Sequence, residues 1–233
     1  MRQDGRKNSE LRPIEFVPGI NPYAEGSCRA KFGATEVFVT ATVERERPRW
    51  LGEGSGGWIT AEYGMLPRAT HTRSSREAVL GKQGGRTMEI QRLIGRALRA
   101  AVQLNALGEV TIRIDCDVLC ADGGTRVASI CGGWVALVHA LKKLSYAGNI
   151  IPIAAISLGV VGGELLVDLS YEEDSKAEFD LNLVCNGSFE LIEIQGTAER
   201  GPVTGGSLQE MVSLGRTAAE RIISLQQDAV RVV

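Results

Sequence analysis

The stretch that decides the fold is Asp115-Cys-Asp-Val-Leu-Cys-Ala-Asp-Gly-Gly-Thr-Arg-Val-Ala-Ser-Ile130. It follows an alternating run, Val110-Thr-Ile-Arg-Ile-Asp115, whose period of two reads as a strand. A long apolar-periodic pattern comes next, and its spacing predicts a helix from about Ala128 to Leu144. Between the two lie Asp122, Gly123, Gly124, Thr125 and Arg126. Glycines let a backbone approach an anion closely, and the first N–H groups of a helix point at it. Thr125 adds a hydroxyl donor and Arg126 a bidentate cation, the order of groups that a phosphate site requires. Alone, such a turn is equally compatible with an ordinary strand-to-helix connection.

Working outward, the preceding third of the chain reads as strands. Ser27–Phe32 and Glu36–Glu44 form a hairpin pattern about Gly33-Ala34, and Trp58–Tyr63 alternates in the same way. Leu66 to Gly85 is polar, basic and rich in breakers, which reads as a long mobile loop, and a helix is expected from about Arg86 to Leu104. After the central helix, Ile150–Val161 and Glu164–Ser170 pair about Gly162-Gly163, and Phe179–Cys185 and Ser188–Gln195 pair about Asn186-Gly187. A last helix spans about Ser207 to Asp228. The order predicts an α+β architecture, one unit over residues 1–233, with helices packed on mixed sheets and two halves that resemble each other as βαβα units.

Composition describes an ordinary globular chain: 44% hydrophobic and 23% charged residues. No run approaches a membrane span and none resembles a secretory signal, so the expected location is the cytoplasm. The five cysteines are read as reduced; Cys116 and Cys120 lack the second pair or nearby histidine of a zinc site. Neither His71 nor His139 has the partners of a Ser-His-Asp system. The net charge of −2 is unevenly spread: from Met65 to Arg99 eight Lys or Arg face two acids. Binding of a polyanion would therefore be confined to one face.

Arg92, Arg96 and Arg99 fall on one side of their helix, opposite Ile90, Ile94 and Leu98. The usual fate of such a stripe is a solvated face; with Arg68, Arg73 and Arg76 they are the candidate RNA contacts. Arg86 is different, because it stands at a helix start, where a cation is unfavourable unless an anion joins it. Further on, Asp168-Leu-Ser-Tyr-Glu-Glu-Asp174 and Asp180 flank a short connection, with Glu172 and Glu173 read as solvated. Asp180 interrupts an apolar strand, an expensive place for an unpaired carboxylate. Asp174 and Asp180 together are the oxygen set that Mg²⁺ takes when a substrate phosphate completes its shell.

Several motifs resemble those of bacterial ribonuclease PH and its family of phosphorolytic exoribonucleases. They are Met1-Arg-Gln-Asp-Gly-Arg6, Gly85-Arg-Thr-Met-Glu-Ile-Gln-Arg-Leu-Ile-Gly-Arg96, Asp115-Cys-Asp-Val-Leu119, Asp122-Gly-Gly-Thr-Arg126, Asp168-Leu-Ser-Tyr-Glu-Glu-Asp-Ser175 and Gln195-Gly-Thr-Ala-Glu199. Met88 stands where Gln is expected, and Cys131-Gly-Gly-Trp134 where a Thr-Gly-Ala-like run is expected. The resemblance implies a fold like the second domain of ribosomal protein S5 and a homohexameric ring, a trimer of dimers. It implies phosphate binding by Arg86, Gly124, Thr125 and Arg126, and catalytic and metal-linked acids at Asp174 and Asp180. It implies RNA contact by the loop of Arg68, Arg73 and Arg76. The expected activity is phosphate-dependent 3′→5′ trimming of precursor transfer RNA with release of nucleoside diphosphates. A hydrolytic metal nuclease and a non-catalytic, RNA-threading ring subunit are the alternatives.

Overall fold

A five-residue strand that the periodicity does not announce, β1 (Ile14–Pro18), edges the first sheet. It pairs with β2 (Gly26–Phe32), which makes the expected hairpin with β3 (Thr35–Glu44). β3 pairs with β5 (Thr111–Cys120), and β4 (Trp58–Met65) runs parallel to β5 at the opposite edge. The order β1-β2-β3-β5-β4 is thus mixed. The parallel pair needs a crossover, supplied by α2 (Gly85–Arg99). The second sheet, β7-β6-β8-β9, is antiparallel throughout, from β6 (Ile153–Val161), β7 (Glu164–Val167), β8 (Phe179–Asn186) and β9 (Leu191–Ala198). These assignments come from a computed structural model that describes residues 2–52 and 54–231.

The core is organised around α3 (Thr125–Lys143), in which every residue from Val127 to Leu141 is buried. It packs on β2 and β3, against β6 of the second sheet, and beside α2 and α5 (Gly205–Arg231). Small residues set these distances. A Cβ on Gly132 would lie 2.7 Å from the Ala30 Cβ, so helix and sheet approach more closely than any side chain would allow. Cys131, beside it, accepts a hydrogen bond from Ala155 N at 3.3 Å, filling a gap left where β7 is too short to pair with β6. Gln226 of α5 closes the same junction by donating to the carbonyls of Cys131 and Ile153.

The α+β architecture and mixed first sheet match the sequence expectation, and each sheet is followed by a long helix. The halves correspond in outline only, since one sheet has five strands and a parallel pair and the other four antiparallel strands. Several boundaries move. α3 begins at Thr125, three residues before its apolar period starts, and β5 continues to Cys120. α2 ends at Arg99, and Leu104–Leu107 is a separate 3₁₀ turn. The stretch from Leu66 to Gly84 is not an open loop. It holds a helical turn, α1 (Glu77–Leu80), and Ala121 N donates to Ala69 O. Glu77 accepts from Gly84 N and Thr87 Oγ1, fastening the far end onto α2.

Candidate active site

The connection from β5 to α3 is a cradle with no room for side chains. Gly123 and Gly124 have φ of 75° and 67°, in the left-handed region that favours glycine. A Cβ on Gly123 would sit 2.6 Å from the carbonyl oxygen of Leu169. Gly124 is the N-cap of α3 and supplies no side-chain cap, so the first N–H groups of this 19-residue helix are not claimed by a cap and lie at its positive pole. Thr125 is buried, and its hydroxyl is 2.9 Å from the Tyr63 hydroxyl. Arg126 is held from two sides, donating to Gln195 Oε1 at 3.3 Å and lying 3.6 Å from Glu89.

The charged groups converge on this cradle. Burial pushes the Tyr63 phenol up, while the hydrogen bond with Thr125 and the charges of Arg86 and Arg126 pull it down. Arg86, exposed on the first turn of α2, forms no hydrogen bond or ion pair among the described residues, yet it acts on Tyr63, Asp174 and Asp180 alike. Asp174 is the last residue of α4 (Tyr171–Asp174), a turn that the sequence pattern does not reveal. Asp180 stands on β8 between Gly159 of β6 and Thr197 of β9. Asp174 is exposed by area, yet the protein around it partly strips its carboxyl of water and raises it, and the nearby Asp180 charge raises it further, against Arg86, Arg126 and Arg12. Burial also raises Asp180, against Arg126, its own backbone N–H and Arg86, with Glu199 adding to the rise. Two carboxylates and two guanidiniums are thus electrostatically coupled to one another, with Arg126 on the first turn of an uncapped helix.

A buried layer behind the cradle fixes it; Arg2, Asp168 and Glu173 lie in recognisable sequence motifs without a role of their own, and Arg12 and Thr35 lie in none. Asp168 is fully buried, with φ 56°, and accepts from Arg12 N, Nε and Nη2 at 2.8, 3.1 and 2.6 Å. The other end of the Arg12 guanidinium donates to the carbonyl of Asp122. Thr35 Oγ1 accepts from Asp122 N and donates to Gly123 O, so both peptides of the turn are pinned. Arg2, also buried, donates from Nε and Nη2 to the two carboxylate oxygens of Glu173 at 2.7 Å each, and to the carbonyls of Val167 and Asp168. Glu173 closes a capping box with Ser170 as well. The expectation that Glu173 is solvated is therefore corrected: it anchors α4. Glu172 is exposed, as expected, beside Lys176.

The basic residues divide. Arg73 and Arg76 are exposed, and Arg68, also exposed, donates to His71 O. Arg92 is exposed; Arg96 pairs with Glu193 of β9. Arg99, a candidate RNA contact on the sequence, is turned inward. Its Nη1 donates to Ile59 O at 2.9 Å, its guanidinium lies 4.4 Å over the Trp58 ring, and burial lowers its pKa, helped by Arg96. His139 is buried on α3, and burial, with the charges of Lys142 and Lys143, lowers its pKa. All five cysteines are free, and burial pushes the Cys28 and Cys131 thiols up to about 12. No group of three or more His, Cys, Asp or Glu forms a metal cage among the described residues. Asp174 and Asp180 fit a different mode, in which Mg²⁺ takes one or two carboxylates and substrate phosphates complete its shell.

A model of the 3′ exoribonuclease family, domain 1, of the RNase PH type, matches residues 10–143, and its domain 2 model matches residues 152–218. The chain belongs to this family. Its fold is found in solved relatives of low identity. Rice (Oryza sativa) Rrp46 superposes with a TM-score of 0.82 at 20% identity, covering 99% of this chain and 100% of that one. An Archaeoglobus fulgidus exosome with RNA bound to the active site gives 0.79 at 24% identity, covering 95% and 91%. An archaeal exosome core gives 0.77 at 22%, covering 97% and 91%. In family terms, the cradle lies in the domain 1 region, and Asp174 and Asp180 in the domain 2 region. No helix of the described residues is long and apolar enough to cross a membrane.

Proposed function

We propose that the chain is a phosphate-dependent 3′→5′ exoribonuclease of the ribonuclease PH kind, trimming the 3′ ends of precursor transfer RNA. One observation supports this reading most: an uncapped helix start, suited to a small dianion, carries Arg126, and Arg126 and Arg86 act electrostatically on two carboxylates of raised pKa. Inorganic phosphate rests on the backbone at Gly124 and Thr125, with Arg126 and Arg86 balancing its charge. One phosphate oxygen attacks the phosphorus of the terminal phosphodiester in line. The bond to the 3′ oxygen breaks, that oxygen takes up a proton, and a nucleoside diphosphate leaves. Positioning and charge neutralisation supply most of the rate in such transfers. Asp180 is the proposed proton donor, since a raised carboxyl holds a proton nearer to neutral pH. Mg²⁺, if held by Asp174 and Asp180, supplies neutralisation of charge on the phosphoryl oxygens.

The similar fold of exosome subunits supports assembly into a ring that handles RNA, and it favours a second reading, a ring subunit without activity of its own. The retained Arg86, Arg126, Asp174 and Asp180 speak for the first. The reverse reaction separates them. An RNA primer incubated with ADP should lengthen and liberate phosphate. A primer that stays unextended while still bound would support the inactive subunit.

A further inference from the structure

The groups described so far hold phosphates, and none of them holds a base. Tyr171, the first residue of α4, leaves 54% of its surface in solvent. It stands one helical turn from Asp174, so the two side chains are neighbours on one face. Its backbone N–H donates to Asp122 Oδ1 at 3.2 Å, tying it to the residue that opens the glycine turn. Facing it, 6.2 Å between ring centroids and inclined at 53°, is His71. His71 is exposed and lies in the basic segment between Arg68 and Arg73, and Arg68 donates to its carbonyl. Two exposed rings from distant parts of the chain therefore meet beside the acids. The pair is tilted, not stacked in parallel, and both residues remain exposed.

We propose that Tyr171, with His71 beside it, is the stacking platform for the 3′-terminal base of the RNA. The proposal rests on the reading that RNA 3′ ends enter this site. Aromatic rings bind single-stranded nucleic acid without regard to sequence, because every base presents a π-face. A trimming enzyme that must accept varied tails needs that tolerance at the terminal nucleotide, while Arg68, Arg73 and Arg76 follow the backbone.

The test uses a short single-stranded RNA with 2-aminopurine at its 3′ end, bound in phosphate-free buffer so that it is not consumed. The full-length protein and its Tyr171→Phe variant should quench the probe on binding. Tyr171→Leu should lose the quenching and bind at least about tenfold more weakly, the scale of one lost base–ring stack. In turnover, Tyr171→Leu should raise the RNA KM and leave the phosphate KM unchanged, and His71→Ala should give a smaller shift in the same direction. Because Tyr171 is largely exposed, a matching melting temperature is expected and checks the fold. Quenching and affinity kept in Tyr171→Leu, or lost equally in Tyr171→Phe, would overturn the platform. If the unaltered protein fails to shorten RNA with phosphate present, the functional reading fails instead.

Discussion

Asp180 is where charge, burial and chemistry meet. Its half-buried carboxyl and that of the more exposed Asp174 are both raised, each first by partial loss of water. A carboxyl with a folded pKa above its unfolded value holds its proton more tightly when folded. Stability is therefore lost as pH rises through the folded pKa. Asp180→Asn, which cannot ionise, should melt higher than the parent at pH 7 in metal-free buffer. The gap should shrink on acidification towards pH 4; calorimetry at the two pH values measures it. The same variant should lose turnover by at least about a hundredfold while still binding RNA, the scale for removing a positioned acid–base group. Equal melting at both pH values, or full activity, would remove the strained acid from the account. Glu173 and Glu172 form a matched contrast. Glu173→Gln breaks a bidentate ion pair with buried Arg2, and Glu172→Gln touches only exposed partners, Lys176 and Gln3. Denaturant unfolding should show a loss of about 1–3 kcal/mol for the first and almost none for the second.

At the scale of elements, the cradle depends on where α3 begins. The helix period starts at Ala128, but the structure starts the helix at Thr125, because Gly123 and Gly124 in left-handed conformation turn the chain directly into it. Gly123→Ala places a Cβ against backbone, 2.6 Å from Leu169 O, where nothing flexible can yield. The phosphate KM should rise at least about tenfold with a fall in stability; unchanged phosphate kinetics would show that the turn does not shape the anion site. What the sequence made legible follows from periodicity. The β2–β3 and β8–β9 hairpins and the three long helices show clear periods of two or 3.6. β1, α1 and α4 do not, since each is five residues or fewer and too short to establish a period. At the site, Arg86 and Asp180 stand out because each is chemically costly where it stands, Thr125 and Arg126 because they follow two glycines at a helix start, and Asp174 because it flanks the short connection to Asp180. The pairings of Arg12 with Asp168, Arg2 with Glu173 and Thr35 with the glycine turn could not be read, because the partners lie far apart in the chain and only the fold brings them together. Arg99 fits a solvated stripe by spacing and is withdrawn from it by the Trp58 ring.

For the whole molecule, a net charge of −2 coexists with a basic stretch between Met65 and Arg99. Part of that stretch is already matched, Arg96 by Glu193 and Arg99 by the Trp58 ring and a carbonyl. Arg73 and Arg76 remain exposed and without an ion pair among the described residues. Replacing both by alanine should weaken RNA binding and flatten its salt dependence, by up to about 0.7 in log–log slope per lost phosphate contact. The phosphate KM should hardly move, and an equal effect on both would contradict the division between backbone contacts and the anion cradle. Inorganic phosphate is the proposed nucleophile. The most direct test of this role is to incubate the protein with a 3′-extended RNA and magnesium, with and without phosphate, and to identify the released mononucleotide. Shortening only with phosphate, with nucleoside diphosphates as product, is the predicted result; monophosphates released at an undiminished rate without phosphate would contradict it.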